Sequence, residues 1–193
     1  GTVTAAKDAT ISATATNATN SQIAETVASV TVGDGSKITA AHDVTVTATA
    51  TNAFTEKDAA IHSKNIKLND TAVPITADVT FAVLTSTATV DIAKTAALTA
   101  GNDVNVKAAS TISGSIGTTV TLDKDGTPYS AYIPVSGVTY VQADNTAAVT
   151  VDGTLTSTGT KSDDGKTITG SVNVDATTGI NLNISTENKY AVA

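Results

Sequence analysis

The 193-residue chain contains no cysteine, methionine, tryptophan or arginine, has three prolines, and is only 3% aromatic. The absence of cysteine removes disulfides and thiolate metal sites from consideration. With no arginine and a net charge of −7, there is no basic surface to neutralise phosphates, so nucleic acid is not an expected partner. Anionic membrane surfaces are disfavoured on the same ground. No apolar run reaches the roughly 18 residues a spanning helix needs, so no membrane insertion is expected of this segment. The scarcity of large rings argues against an ordinary globular core. The lack of methionine and the leading Gly1 fit a segment of a larger polypeptide, in which a missing signal peptide is uninformative.

In place of these residues the chain has 39 threonines and 32 alanines, arranged in repeats. SVTVGDGSKITAAHDVTVTA (Ser29 to Ala48) returns without a gap 60 residues later as TVDIAKTAALTAGNDVNVKA (Thr89 to Ala108). Val30 thereby matches Val90, Val32 matches Ile92, Ile38 matches Leu98, and Asp43-Val44 matches Asp103-Val104. Upstream, at an offset of 35, Val3 to Asn17 matches Ile38 to Asn52, and a worn third copy retains Val149, Val151 and Leu155. Within the unit, Val44, Val46, Ala48 and Ala50 alternate with Thr45, Thr47, Thr49 and Thr51. Period-two alternation of β-branched residues marks a half-buried strand. One such strand cannot bury its apolar face alone, so stacking of repeats is the natural solution. The expected fold is all-β, a parallel β-helix (β-solenoid). Its units lie at about 1–37, 38–97, 98–154 and 155–193 of one continuous segment, with the 60-residue return read as three coils of about 20. A β-sandwich of the same strands is the alternative, and the ungapped return favours the solenoid.

Other segments depart from the unit. Ala18 to Ala28 reads as a polar connector or short strand, and Ala53 to Lys64 as the most helix-tolerant piece. Ile75 to Thr87 alternates with Val79, Phe81 and Val83 on one face. Between Gly114 and Asn145 the repeat gives way to a stretch holding Tyr129, Tyr132 and Tyr140. There a D-G turn at Asp125-Gly126 between strand-like runs predicts a hairpin insertion over 117–142. KSDDGK, at Lys161 to Lys166, predicts a second hairpin.

The candidate binding residues are Tyr129, Tyr132 and Tyr140, since exposed tyrosine suits partner and sugar contact; the bland alternative is a wider coil whose core the rings fill. Asp123 and Asp125 open a sequence like a calcium loop, yet the later ligands and the distal glutamate are missing, and turn chemistry accounts for both. His42 stands where the sister repeats have Lys7 and Asn102, which marks an exposed corner, and it is not spaced with His62 as a metal pair. Asp8, Asp43 and Asp103 recur at one corner, where a buried aspartate capping turn amides is expected. No nucleophile elbow occurs, so no enzyme and no cofactor are expected. The Thr-x-Thr pairs would make an ice-ordering plane only if they aligned on consecutive coils, and Asn105-Val-Lys107 interrupts them.

The unit resembles the repeats of very large bacterial filamentous adhesins, the filamentous-haemagglutinin-like and leukotoxin-type surface proteins exported by two-partner or autotransporter routes. Asp43 to Asn52 and Thr87 to Ala108 carry the resemblance, which covers most of Gly1 to Leu155. It implies a right-handed β-helix at the extracellular bacterial surface and a structural stalk or adhesin, with no catalytic residues to carry over. The implied partners are glycans or proteins of host or neighbouring cells, together with end-to-end self-association. A carbohydrate-binding module acting through the tyrosines is the alternative function.

Overall fold

The computed structural model describes residues 1–56, 66–68, 71–73, 79–122, 138–161, 165 and 168–190. Among them the secondary structure is all strand: β1 (Thr2–Ala5), β2 (Ala9–Thr19), β3 (Ile23–Val32), β4 (Lys37–Ala40), β5 (Val44–Glu56), β6 (Ile66–Leu68), β7 (Thr71–Val73), β8 (Val79–Ile92), β9 (Ala97–Ala100), β10 (Val104–Leu122), β11 (Val138–Val151), β12 (Thr154–Ser157), β13 (Thr160–Lys161), β14 (Ile168–Thr169) and β15 (Val172–Tyr190). Three parallel sheets hold the long-range order. Sheet A runs β1-β4-β9-β12, sheet B runs β2-β5-β10-β15, and sheet C runs β3-β8-β11. The chain visits A, then B, then C, and then begins again beside its previous strands, so each visit adds one layer.

The sequence matches are the strand register. Val30 pairs with Val90, Ile38 with Leu98 and Val44 with Val104, while Val3 pairs with Ile38 and Ala9 to Asn17 with Val44 to Asn52. Like residues stack on like because a core-facing position in a parallel sheet meets its own equivalent in the next strand. Val44, Val46, Val104 and Val106 are buried, and so are Val30, Val90, Ile38 and Leu98, in one cluster drawn from all three sheets. This cluster is built of Val, Ala, Ile and Leu, without aromatic rings.

Two expectations change. Sixty residues make one layer, not three, since residues 60 apart are direct hydrogen-bonding neighbours. The 35-residue offset is also one layer: in the first, β3 starts four residues after β2 ends, whereas in the second the sequence 57–78 intervenes between β5 and β8. Strands of 10 to 19 residues in sheets B and C replace pairs of short ones. In β8, Phe81 and Val83 share a face as expected, but it is the outer one; Ala82, Leu84, Ser86 and Ala88 point inward and are buried.

At the ends of the expected 117–142 insertion, residues 117–122 belong to β10 and 138–142 to β11, both in parallel sheets. The remainder of that hairpin, and the helix-tolerant stretch beyond Glu56, lie outside the described residues. The second hairpin is present: β13 pairs antiparallel with β14 through Thr160–Thr169 and Lys161–Ile168. Ile23 to Ala28, read as part of a connector, is the first half of β3.

Candidate functional site

Two places concentrate polar chemistry, a corner between sheets A and B and the outer face of sheet C. At the corner, Asp8, Asp43 and Asp103 stand one above another. The Asp43 amide donates to Asp8 Oδ1 (3.2 Å), and the Asp103 amide and Asn102 Nδ2 donate to Asp43 Oδ1 (3.0 Å each). Ser171 donates its amide and hydroxyl to Asp103 Oδ1 (2.8 and 2.9 Å). Each carboxylate therefore caps an amide of the next layer rather than of its own turn, and none is buried. These bonds to the ionised form hold the Asp43 carboxyl below the usual range, led by the Asp103 amide. A second clamp joins the preceding turns: Asp34 Oδ1 accepts from Thr95 Oγ1 (2.8 Å) and the Thr95 amide (3.2 Å), while the Gly35 amide donates to Thr95 Oγ1 (2.8 Å). The Thr95 hydroxyl is the main cause of the lowered Asp34 pKa. His42 is exposed, with Nδ1 3.9 Å from Asp8 Oδ1, a loose surface pair. The aspartates here are structural clamps; among the described residues no three His, Asp or Glu come together as a metal site.

Between sheets B and C a polar seam separates the main core from a second one containing Phe54, Leu84, Ile112 and Ile116. Asn52 of sheet B, fully buried, donates from Nδ2 to the carbonyls of Ala24 (3.0 Å) and Thr85 (3.1 Å) on two sheet C strands. Asn145 of sheet C does the reverse, reaching Ser110 (3.1 Å) and Gly179 (2.8 Å) on two sheet B strands. The Ser110 hydroxyl donates to that of Ser86 at 2.8 Å. The paired asparagines tie B to C at the level where each strand of one sheet sits between two strands of the other.

The outer face of sheet C carries exposed apolar and aromatic residues. Register places Tyr140 beside Phe81, and Gln142 beside Val83 and Ile23 in one row. Tyr140 is 55% exposed and Ile23 68% exposed, whereas Phe81 is half-buried. Tyr140 Oη donates to Gln142 Oε1 at 3.5 Å, and Gln142 Nε2 donates to Asp144 Oδ2 at 2.9 Å. An aromatic face, an amide and a carboxylate thus line one outward column, an arrangement that can stack on an apolar sugar face and bind its hydroxyls. Tyr140 lies on a parallel strand rather than on a hairpin. Tyr129 and Tyr132 lie outside the described residues, as do Asp123 and Asp125. Sequence reading missed Phe81 as the neighbour of Tyr140, which aligning β8 with β11 through Val90–Val149 would have found, and missed Ile23, two strands away in the row of Gln142 and Val83.

On sheet B the outer threonines form an array two strands wide, Thr45 beside Thr10 and Thr47 beside Ser12, and then meet Asn105 and Lys107. Comparison of the chain with family models, with characterised proteins and with solved structures finds no match.

Proposed function

We propose that the chain is a segment of a right-handed parallel β-solenoid that serves, without catalysis, as a structural stalk or adhesin segment of a secreted filamentous protein at the bacterial cell surface. The observation that carries the reading is the unbroken parallel register through successive visits to the same three sheets, β2-β5-β10-β15 above all. Parallel crossovers are right-handed in about 98% of cases, which supports the hand. The aspartate clamps support a load-bearing role, since they bind layer to layer along the stacking direction. The likeness of the repeat to filamentous adhesins supports the location. Antibody raised against the chain should label intact producing cells, and mild protease should remove the label. Labelling only after lysis would overturn the surface reading.

The Tyr140–Gln142–Asp144 column favours a second reading, in which this face binds glycans. A glycan and matrix-protein array probed with the chain and with a Tyr140→Ala variant separates the two. Binding lost with Tyr140 supports recognition. Absence of binding by both, with circular dichroism unchanged, leaves the stalk.

A further inference from the structure

Charge on the outer face of sheet C is of one sign. Its strands β3, β8 and β11 carry three acidic residues, Glu25, Asp91 and Asp144, and no lysine. All three are exposed, and none is paired with a cation among the described residues. Register sets Asp144 and Glu25 on either side of Thr85 in one row, two rows along from the Phe81–Tyr140 pair. At about 3.3 Å per residue the carboxylate row stands roughly 13 Å from the rings, and with strands about 4.8 Å apart Asp144 and Glu25 are roughly 10 Å from each other. Gln142, Val83 and Ile23 fill the row between. The face is open beyond its edge strands: on β8, flanked on both sides, Phe81 and Val83 point outward and are only half-buried.

This charge selects among sugars. An anionic glycan, sialylated or sulfated, would meet carboxylates and no cation, which costs affinity and slows encounter. A neutral glycan would stack on the rings and take the Gln142 amide but leave Asp144 and Glu25 without a partner. A glycan bearing free amines satisfies both, because an ammonium carries the opposite charge and donates charge-assisted hydrogen bonds. Gln142 donates to Asp144 Oδ2 at 2.9 Å, which holds that carboxylate in place and leaves Oδ1 as an acceptor. The separation of rings and carboxylates exceeds one sugar ring, so several linked units are required.

We propose that the outer face of sheet C is a docking surface for a cationic oligosaccharide, a run of linked amino sugars whose amines are not acetylated. One unit stacks on Tyr140 and Phe81, and units further along set ammonium groups against Asp144 and Glu25. This rests on the reading that the face binds glycans, and two oligomers differing only in acetylation separate the failure of one from the failure of the other.

Calorimetric titration of the whole chain with a glucosamine hexamer and with its fully N-acetylated counterpart measures the preference. At low salt the amine form should bind at least about fivefold tighter, the scale of two exposed charge pairs, and the advantage should shrink as salt rises to about 0.5 M. Asp144→Asn combined with Glu25→Gln should bring the two oligomers to within about twofold of each other. Asp91→Asn removes a charge from the same face roughly 20 Å away, beyond the reach of screened charge, and should keep the preference. Tyr140→Ala should weaken both oligomers, and circular dichroism verifies that the variants fold. Equal binding of the two oligomers would leave a glycan site and overturn its cationic class, as would a preference that survives Asp144→Asn with Glu25→Gln. Absence of binding by either oligomer would overturn the glycan reading as well. Loss of the preference in Asp91→Asn would make it a property of net charge rather than of this site. Tighter binding of hexalysine than of the amine hexamer, itself lost with Tyr140→Ala, would make a basic polypeptide the occupant.

Discussion

Gly114→Ala tests how tightly the layers of sheet B are locked. Gly114 lies in β10 between the buried Ile112 and Ile116, with Phe54 and Leu182 as its register partners. Its φ of +143° belongs to a region that side-chain-bearing residues enter at a cost of about 1–3 kcal/mol. A Cβ at this position would overlap the Phe54 carbonyl oxygen and lie 2.8 Å from its carbon and 3.1 Å from the Phe54 nitrogen. Those are backbone atoms, so no rotamer change relieves the overlap; β5 and β10 must move apart around a fully buried Phe54. Overpacking of this kind costs about 1–3 kcal/mol, which with the backbone term gives roughly 4 kcal/mol. For a chain of this size that is a fall in Tm of about 8–16 °C. Thermal and urea unfolding followed by far-UV circular dichroism measure it. Gly179→Ala in β15 is the control, since the nearest heavy atom to its added Cβ is Thr111 Oγ1 at 3.9 Å. It should change stability by no more than about 0.5 kcal/mol. If Gly114→Ala matched the control, the close approach of β5 and β10 would be wrong.

Asn52→Ala should lower the urea midpoint by the equivalent of about 1–3 kcal/mol, because it strips the buried Ala24 carbonyl and the partly buried Thr85 carbonyl of their shared donor; an unchanged midpoint would refute the B-to-C tie. Acid should destabilise the chain through Asp34 and Asp43. Their folded pKa values are lowered, so their contribution is complete above the unfolded value and is lost as pH falls through the folded one. Urea midpoints taken below about pH 4 should therefore drop, and Asp43→Asn, which keeps an oxygen for the Asp103 amide, should reduce the drop. Lys107→Ala should leave stability within about 0.5 kcal/mol and independent of salt, since its 3.6 Å pair with Asp175 is half exposed on both sides.

Register was the most legible property of the sequence, because stacking puts equivalent residues in contact and so preserves their likeness. Val30 with Val90 and Asp43 with Asp103 could be paired by eye. Layer length was not legible, because alternation has the same period in one strand of 14 residues as in two of six, and β8 carries no break between Val79 and Ile92. The inward face of β8 was hidden for a related reason: it mixes Leu84 with the small Ala82, Ser86 and Ala88, while the large Phe81 and Val83 lie outside. Size is therefore a poor guide to which face of β8 is buried. The exposure of Tyr140 could be anticipated from its type, but its neighbour Phe81 comes from another layer and only the register unites them.

The length differences between layers fall at corners and leave the sheets in register. The second layer has the sequence 57–78 between β5 and β8, the third has 123–137 between β10 and β11, and the fourth places its extra residues between β12 and β15, where β13 and β14 pair. Parallel pairing forbids gain or loss of single residues within a strand, because a one-residue slip would turn every core side chain outward. Corners carry no such constraint. Variation is thereby channelled to the corners, and in the second and third layers to the same one, between B and C. Phe81 and Tyr140 stand near the starts of β8 and β11, directly after those variable sequences. The aromatic column thus sits where a repeat of this construction is free to change its surface without disturbing its core, which is where a recognition face, if the array finds one, has a physical reason to be.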